Sequence, residues 1–287
     1  MVFPFHMKFA KSTVVLLIGV HPDESAAAKI LQNELSHMIA LSYDEVNVIN
    51  ISLSGLSEFP QNCNNRFRDI NGVFYDLNRV GRKCTITEKD ALTAVSLLKN
   101  STEIPANLLG SWLEQCEQVG ININAILRGS QPYVSGFFGF VDSNVKRSYH
   151  RGVIECAEHI DRLVVGNRRI ILVDIHAGMG KCGEISVAYH RVQSGKLADE
   201  NFFIEDLMKC LESRGRVCNE VLILELGTST SYTHMTDVLL EVKGYLEGTE
   251  YPRREIVDVK LELIARESLW KHKQIIYLLD KTLVNQA

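Results

Sequence analysis

Two side chains with metal-binding chemistry follow directly on the first apolar run of this sequence. The run VVLLIGV (14–20) ends in His21, and Glu24 follows three residues later. Residues at this spacing can both face inward from a tight turn that leads into a helix. Histidine and glutamate recur together as ligands of catalytic zinc, so the pair predicts part of a metal centre.

Two further apolar runs end in residues of the same chemistry. RIILVDIH ends in His176, and EVLILELG contains Glu225. Catalytic zinc commonly takes three protein ligands, with two histidines and a glutamate as one recurrent set, and keeps a fourth position for water. We therefore expect His21, Glu24 and His176 to bind zinc. Glu225 would accept the proton of the metal-activated water and pass it to the leaving group.

A polar segment between the first strand and the middle of the chain carries an amide and several guanidinium groups. Asn78 and Arg79 are adjacent in DLNR, and Arg66 and Arg68 lie upstream in NNRFRD. An amide beside a guanidinium suits a substrate carboxylate, because arginine binds carboxylates through two hydrogen bonds. An upstream arginine could polarise a carbonyl oxygen. The alternative interpretation is a solvated polar loop.

The elements that must position these residues alternate between apolar β-rich runs and helical patterns. The run 13–20 is almost continuously apolar, which suits a strand buried on both faces. Further strands are predicted at 45–52, 168–176 and 220–227, and helices at 24–40, 87–99, 144–163, 203–213 and 232–247. The pattern predicts an α/β fold with a mostly parallel, mixed sheet flanked by helices on both faces. Sites in such sheets gather beyond the carboxyl ends of the strands.

The chain is expected to form a single domain over residues 1–287, with its core at about 13–240. Gly- and Asn-rich stretches near 61–72 and 128–139 predict long ordered loops. The segment 255–283 has apolar residues at helical spacing and predicts a helix that packs on the same domain. A helix that binds a partner is the alternative for this segment.

Composition excludes several classes of partner. The 287 residues are 46% hydrophobic and 23% charged, with a formal net charge of −4 and a pI near 6.2. This balance argues against nucleic acid or an acidic membrane surface as the main partner. Lys8 and Lys11 before a short apolar run imitate a signal peptide, but the run is too short and no cleavage site follows. We expect a first core strand there and a cytoplasmic protein.

The cysteines also favour a cytoplasmic protein. Seven occur, none of them in a Cys-x-x-Cys pair, which leaves neither a zinc knuckle nor a thioredoxin-like motif. Scattered single cysteines are typical of buried, reduced thiols in a cytosolic protein.

Four motifs, taken in order, carry a resemblance to a known family. HPDE (21–24), RFRDINGVFYDLNR (66–79), DIHAGMG (174–180) and ELGT (225–228) resemble the zinc carboxypeptidase superfamily, with its carboxypeptidase A-like fold. A bacterial carboxypeptidase-like branch is the most similar, and the fold also serves the succinylglutamate desuccinylase and aspartoacylase amidohydrolases. The resemblance covers about residues 13 to 240. The chain departs from the family pattern in lacking an Asn-Pro before the arginine segment and in having Pro22 at a common glycine position.

The resemblance implies a role for each candidate residue. It implies zinc binding by His21, Glu24 and His176, general-base action by Glu225, carboxylate binding by Asn78 and Arg79, oxyanion stabilisation by Arg68 with Arg66 as its rival, and orientation of His176 by Asp174. A local hydrogen-bond network is the alternative role for Asp174. The tyrosine that closes over substrate in the digestive carboxypeptidases has no single counterpart, since Tyr133, Tyr149, Tyr189 and Tyr232 are all available.

The implied activity is that of a zinc-dependent hydrolase, metallocarboxypeptidase-like, which cleaves an amide bond next to a free carboxylate. Its partner would be a small carboxylate-bearing substrate, with one zinc ion per chain. An N-acyl-amino-acid deacylase of the aspartoacylase or succinylglutamate desuccinylase type is the first alternative. A non-catalytic descendant that binds ligand on the old site is the second. The sequence leaves substrate identity and oligomeric state open.

Overall fold

The computed structural model describes residues 12–20, 25–42, 46–53, 56, 80, 82–84, 86–164, 169–179, 184–191, 202–229 and 231–249. In chain order these residues form β1 (Ser12–Ile18), α1 (Ser25–Ser42), β2 (Val46–Ser52), α2 (Glu88–Asn100), α3 (Pro105–Gln118), α4 (Ile123–Arg128), α5 (Ser143–Leu163), β3 (Arg169–Met179), β4 (Ile185–Arg191), α6 (Phe202–Ser213), β5 (Val217–Ser229) and α7 (Ser231–Glu247).

The described strands form one sheet in the order β2-β1-β3-β5-β4. β1 pairs in parallel with β2 and β3, and β3 pairs in parallel with β5. β4 runs antiparallel to β5 at the edge. All seven residues of β1 are buried, because this central strand is covered on both faces, as its continuous apolar run predicts. The prediction of a mostly parallel mixed sheet is confirmed.

Helices cover both faces of the sheet. On one face, Leu172 and Val221 pack with α5 and α6 side chains such as Cys156 and Leu207. On the other face, Leu16, Val173 and Leu224 pack against α1 residues Leu31 and Leu35. Alternate residues of a strand point to opposite faces, so the parity of a residue in β3 or β5 decides which layer it meets.

A third cluster of buried residues lies in helices α2, α3, α4 and α7 and in the segment 128–141. Trp112 is fully buried there, and its ring packs against Phe137 and Phe138. The Trp112 indole nitrogen donates to Ala94 O at 3.0 Å, which satisfies its one polar atom. Apart from Arg128, the last residue of α4, the stretch 128–139 contains no helix or strand, and its only regular pairings are isolated bridges at Ser130 and Gln131. The predicted loop is therefore confirmed.

Side-chain caps fix where two of these helices begin. Thr87 Oγ1 accepts from the Asp90 amide at 3.1 Å at the start of α2. Asp142 Oδ1 accepts from the amides of Asn144 and Val145 at 2.9 and 2.8 Å at the start of α5. These contacts satisfy amides that have no partner inside the helix, so the helices start close to the predicted positions.

Three described elements were not predicted from the sequence. They are α3, α4 and β4. Pro105 at the first turn of α3, followed by the buried residues Leu108, Leu109, Trp112 and Cys116 at helical spacing, is a signal that could have revealed this helix. Among the described helices, none is long and apolar enough to span a membrane. The predicted loop 61–72 and the predicted helix 255–283 lie outside the described residues.

Candidate active site at the ends of β3 and β5

The candidate site lies where β3 and β5 end, on the face of the sheet that α5 and α6 cover. Leu172, Asp174 and His176 are two residues apart in β3, so their side chains share that face. Leu172 belongs to the core layer under α5 and α6. Along this face of β3, the side chains therefore change from apolar to polar toward the end of the strand.

Asp174 and His176 form a buried hydrogen-bonded pair. Asp174 Oδ2 lies 2.8 Å from His176 Nε2, and the two residues are 0% and 5% exposed. An ionised aspartate only accepts hydrogen bonds, so it favours the tautomer with the proton on Nε2. The lone pair then resides on Nδ1, which becomes the nitrogen that can bind a metal ion. The placement of Asp174 fits its predicted role of orienting His176.

Glu225 lies beside His176 on the neighbouring strand. The two residues are direct partners in the parallel ladder between β3 and β5, and Glu225 is half-buried. Ile223, two residues earlier in β5, packs with the layer under α5 and α6, so Glu225 extends from the same face. The structure thus brings together two of the four residues that the strand-end argument placed in one site.

An ion pair at the opposite end of these strands helps to fix their alignment. Arg169 Nη2 lies 2.6 Å from Glu220 Oε2, and Glu220 is buried. Arg216, which directly precedes β5, donates to Asp161 Oδ1 at 2.6 Å and to Val164 O at 3.1 Å. These contacts join β3, β5 and the end of α5, and the ladder between the two strands has a register shift between Arg169 and Ile171, before the regular pairing that includes His176 and Glu225.

The other predicted site residues lie outside the described residues: His21, Glu24, Arg66, Arg68, Asn78 and Arg79. Two of their sequence neighbours are described. Val20 precedes His21 and Val80 follows Arg79, and both are buried in the same hydrophobic layer as Leu172. The roles of the six residues stay predictions.

The described residues alone do not make a metal centre, since no group of three or more His, Cys, Asp or Glu among them could hold an ion. They contain one of the three predicted ligands, His176. Its hydrogen bond to Asp174 through Nε2 is the arrangement that metal-binding histidines usually show toward a carboxylate. The chemistry of His176 thus fits the predicted zinc site.

The structure excludes one of the four candidates for the tyrosine that would close over the substrate. Tyr149 is 1% exposed, and its hydroxyl donates to Asp206 Oδ2 at 2.9 Å between α5 and α6. Burial, followed by the charge of Asp206, raises the pKa of Tyr149 well above its ordinary value. A side chain fixed in this way cannot close over a substrate. Tyr133 is 41% exposed, and the side chains of Tyr189 and Tyr232 lie outside the described part.

The cysteine prediction is confirmed in part. The five described cysteines are free, and Cys116, Cys156 and Cys218 are buried as expected. The prediction is wrong for Cys84, which is exposed and whose Sγ lies 3.9 Å from the Tyr133 hydroxyl. Cys84 lies at an isolated bridge rather than in a regular element.

The structure places a residue that was not predicted from the sequence beside Glu225. Ser186 of β4 is the direct antiparallel partner of Glu225 and is exposed. The alternation of apolar and polar residues in ISVAYHR (185–191) was the available signal for this strand. Its antiparallel direction, however, does not follow from that signal.

Comparison with known proteins finds similar solved structures but no family. No family model matches the chain, and no curated protein matches it. A solved structure from Shewanella amazonensis SB2B, named for the succinylglutamate desuccinylase / aspartoacylase family, is 16% identical. It covers 85% of this chain and 68% of its own, with a TM-score of 0.29.

Proposed function

We propose that this protein is a zinc-dependent hydrolase that cleaves an amide bond next to a free carboxylate. The observation that carries the proposal is the pairing of Asp174 with His176 directly beside Glu225 at the ends of β3 and β5. A histidine oriented for metal binding and a neighbouring carboxylate are the parts that metal-assisted hydrolysis requires. The motif order along the sequence supports the same reaction.

We assign the ligands of the zinc ion to His176, through Nδ1, and to His21 and Glu24. A zinc ion held by these residues would lower the pKa of a bound water to about 7 and would polarise a carbonyl oxygen. The burial of His176 limits competition from solvent, and Asp174 keeps its ring in the orientation that presents Nδ1.

Glu225 is the proposed general base. Its half-buried carboxylate, one strand away from His176, accepts a proton from the attacking water and returns it to the leaving amine nitrogen. Arg68, with Arg66 as the alternative, would stabilise the oxyanion by its positive charge. Asn78 and Arg79 would hold the substrate carboxylate and so align the scissile amide.

These roles suit two substrate classes equally. A peptidase that removes a C-terminal residue and a deacylase that acts on N-acyl amino acids both cleave an amide next to a carboxylate. A matched panel separates them: N-acetyl and N-succinyl amino acids on one side, and dipeptides with the same C-terminal residues on the other. Turnover of only one half of the panel would identify the substrate class.

The first test is zinc content. Purified protein should contain about one zinc per chain, and His176→Ala should lose it. His150→Ala is the matched control, because His150 is an exposed histidine on α5 and is not among the proposed ligands. No zinc in the wild-type protein after reconstitution would refute the proposal, and zinc binding without turnover on the panel would leave a ligand-binding protein instead.

A further inference from the structure

We infer that β4 forms one wall of the substrate-binding groove and that the Ser186 hydroxyl contacts the substrate. The inference rests on the proposed function and assigns a substrate-binding residue to the same site. Its basis is a row across three adjacent strands, since His176 pairs with Glu225 and Glu225 pairs with Ser186.

The row lies on one face of the sheet. Paired residues of neighbouring strands extend to the same side, and Ile223 and Ala188, one step deeper, are also partners. Ile223 packs against the layer under α5 and α6, so the face of His176, Glu225 and Ser186 is the α5/α6 face. Exposure increases along the row, from buried His176 through half-buried Glu225 to exposed Ser186. The site therefore opens toward β4.

The next row outward consists of glycines on both strands. Gly178 of β3 pairs with Gly227 of β5, and the Gly227 amide donates to Glu184 O at 2.8 Å just before β4 begins. Two neighbouring glycines present no side chain at the rim beside His176 and Glu225. A substrate backbone can approach the sheet closely at such a place.

Ser186 is equipped to meet the substrate at the open end. Its side chain makes no hydrogen bond to another residue of the described part. A hydroxyl can both donate and accept, and cross-strand neighbours have Cβ atoms about 5 Å apart. A substrate amide held between His176 and Glu225 would reach this hydroxyl along the same row of paired residues. We expect the part of the substrate that lies near β4 to be extended and to carry a hydrogen-bonding group, as an acyl-amide chain does.

The test compares substitutions at Ser186 on the panel of N-acyl amino acids and dipeptides. In Ser186→Leu, the larger side chain occupies the space beside Glu225 where the substrate would lie. This substitution should raise KM by at least about tenfold with kcat nearly unchanged, because it blocks substrate binding rather than the proton transfer. Ser186→Ala should raise KM by about two- to tenfold for the lost hydrogen bond, and Ser186→Thr should restore it. Asn50→Leu, at an exposed position of edge strand β2, is the matched control and should change nothing.

A binding measurement separates this inference from the proposed hydrolysis. In Glu225→Gln protein, calorimetry with the same panel measures the binding of intact substrate. Adding Ser186→Leu to this variant should weaken substrate binding by the same factor by which it raises KM. Unchanged KM and binding in Ser186→Leu would overturn the groove while hydrolysis stands. Binding that depends on Ser186 without any turnover would overturn the hydrolase and keep the groove. A panel that does not bind at all would overturn both.

Discussion

Asp174 Oδ2 lies 2.8 Å from His176 Nε2, and both residues are on the same face of one strand, two positions apart. The strand period fixes this relationship, because side chains two residues apart necessarily share a face. The backbone of β3 therefore holds the carboxylate where it sets the tautomer of the imidazole.

Asp174→Asn should weaken zinc binding by about 10- to 100-fold, because an amide no longer fixes the tautomer that presents Nδ1. The dissociation constant is measured by competition with a chelator. Asp206→Asn is the control, since Asp206 also accepts a hydrogen bond from a buried side chain but lies between α5 and α6. Equal zinc affinity in Asp174→Asn and wild-type protein would contradict the assigned role of Asp174.

Glu225→Gln should lower kcat by about 10²- to 10⁴-fold, because the amide cannot take up the proton. Zinc content should stay at the wild-type level, since Glu225 is not among the proposed ligands. Glu158→Gln, at a residue that pairs with Arg214 on the surface of α5, controls for loss of a carboxylate elsewhere. Loss of zinc in Glu225→Gln would show that Glu225 is a ligand instead.

Alkaline pH should destabilise the folded chain through its buried thiols. Burial raises the pKa of Cys116 from 9.0 to about 11, and it raises the pKa of Cys156 and Cys218 further. Above pH 9 the unfolded chain binds fewer protons at these thiols than the folded chain, so the free energy of unfolding falls as pH rises. Each such thiol contributes a slope of up to about 1.4 kcal/mol per pH unit.

Urea unfolding across that pH range measures the slope. Cys116→Ala should flatten it between pH 9 and about 11, the interval in which Cys116 titrates in the unfolded chain but not in the folded chain. Comparing slopes rather than absolute stabilities removes the cost of the cavity that the substitution leaves. A slope that is the same in wild type and Cys116→Ala would show that Cys116 ionises equally in both states.

Lys243→Met should reduce the free energy of unfolding by about 1–3 kcal/mol, because hydrogen bonds to a charged donor are lost. Lys243 Nζ donates to Leu98 O at 3.2 Å and to Lys99 O at 3.0 Å, which are terminal carbonyls of α2, and it also pairs with Glu247. Methionine keeps the apolar length of the side chain. Lys29→Met, at an exposed position of α1, should leave stability almost unchanged, and equal effects of the two substitutions would argue against the role of Lys243.

The sequence determined the central strands and the residues at their ends. Long apolar runs can be satisfied only by burial on both faces, so β1, β3 and β5 follow from the runs before His21, His176 and Glu225. The pairing of Asp174 with His176 was also within reach of the sequence, because it depends on residues two apart in one strand.

Only the tertiary structure decided which strands are neighbours and in what register. The position of β3 between β1 and β5, and the alignment that sets His176 beside Glu225, depend on contacts between residues far apart in the chain. The antiparallel docking of β4, which brings Ser186 to the site, has the same origin. Local periodicity records which face of an element is apolar, but a strand's partner is chosen by packing across the whole sheet.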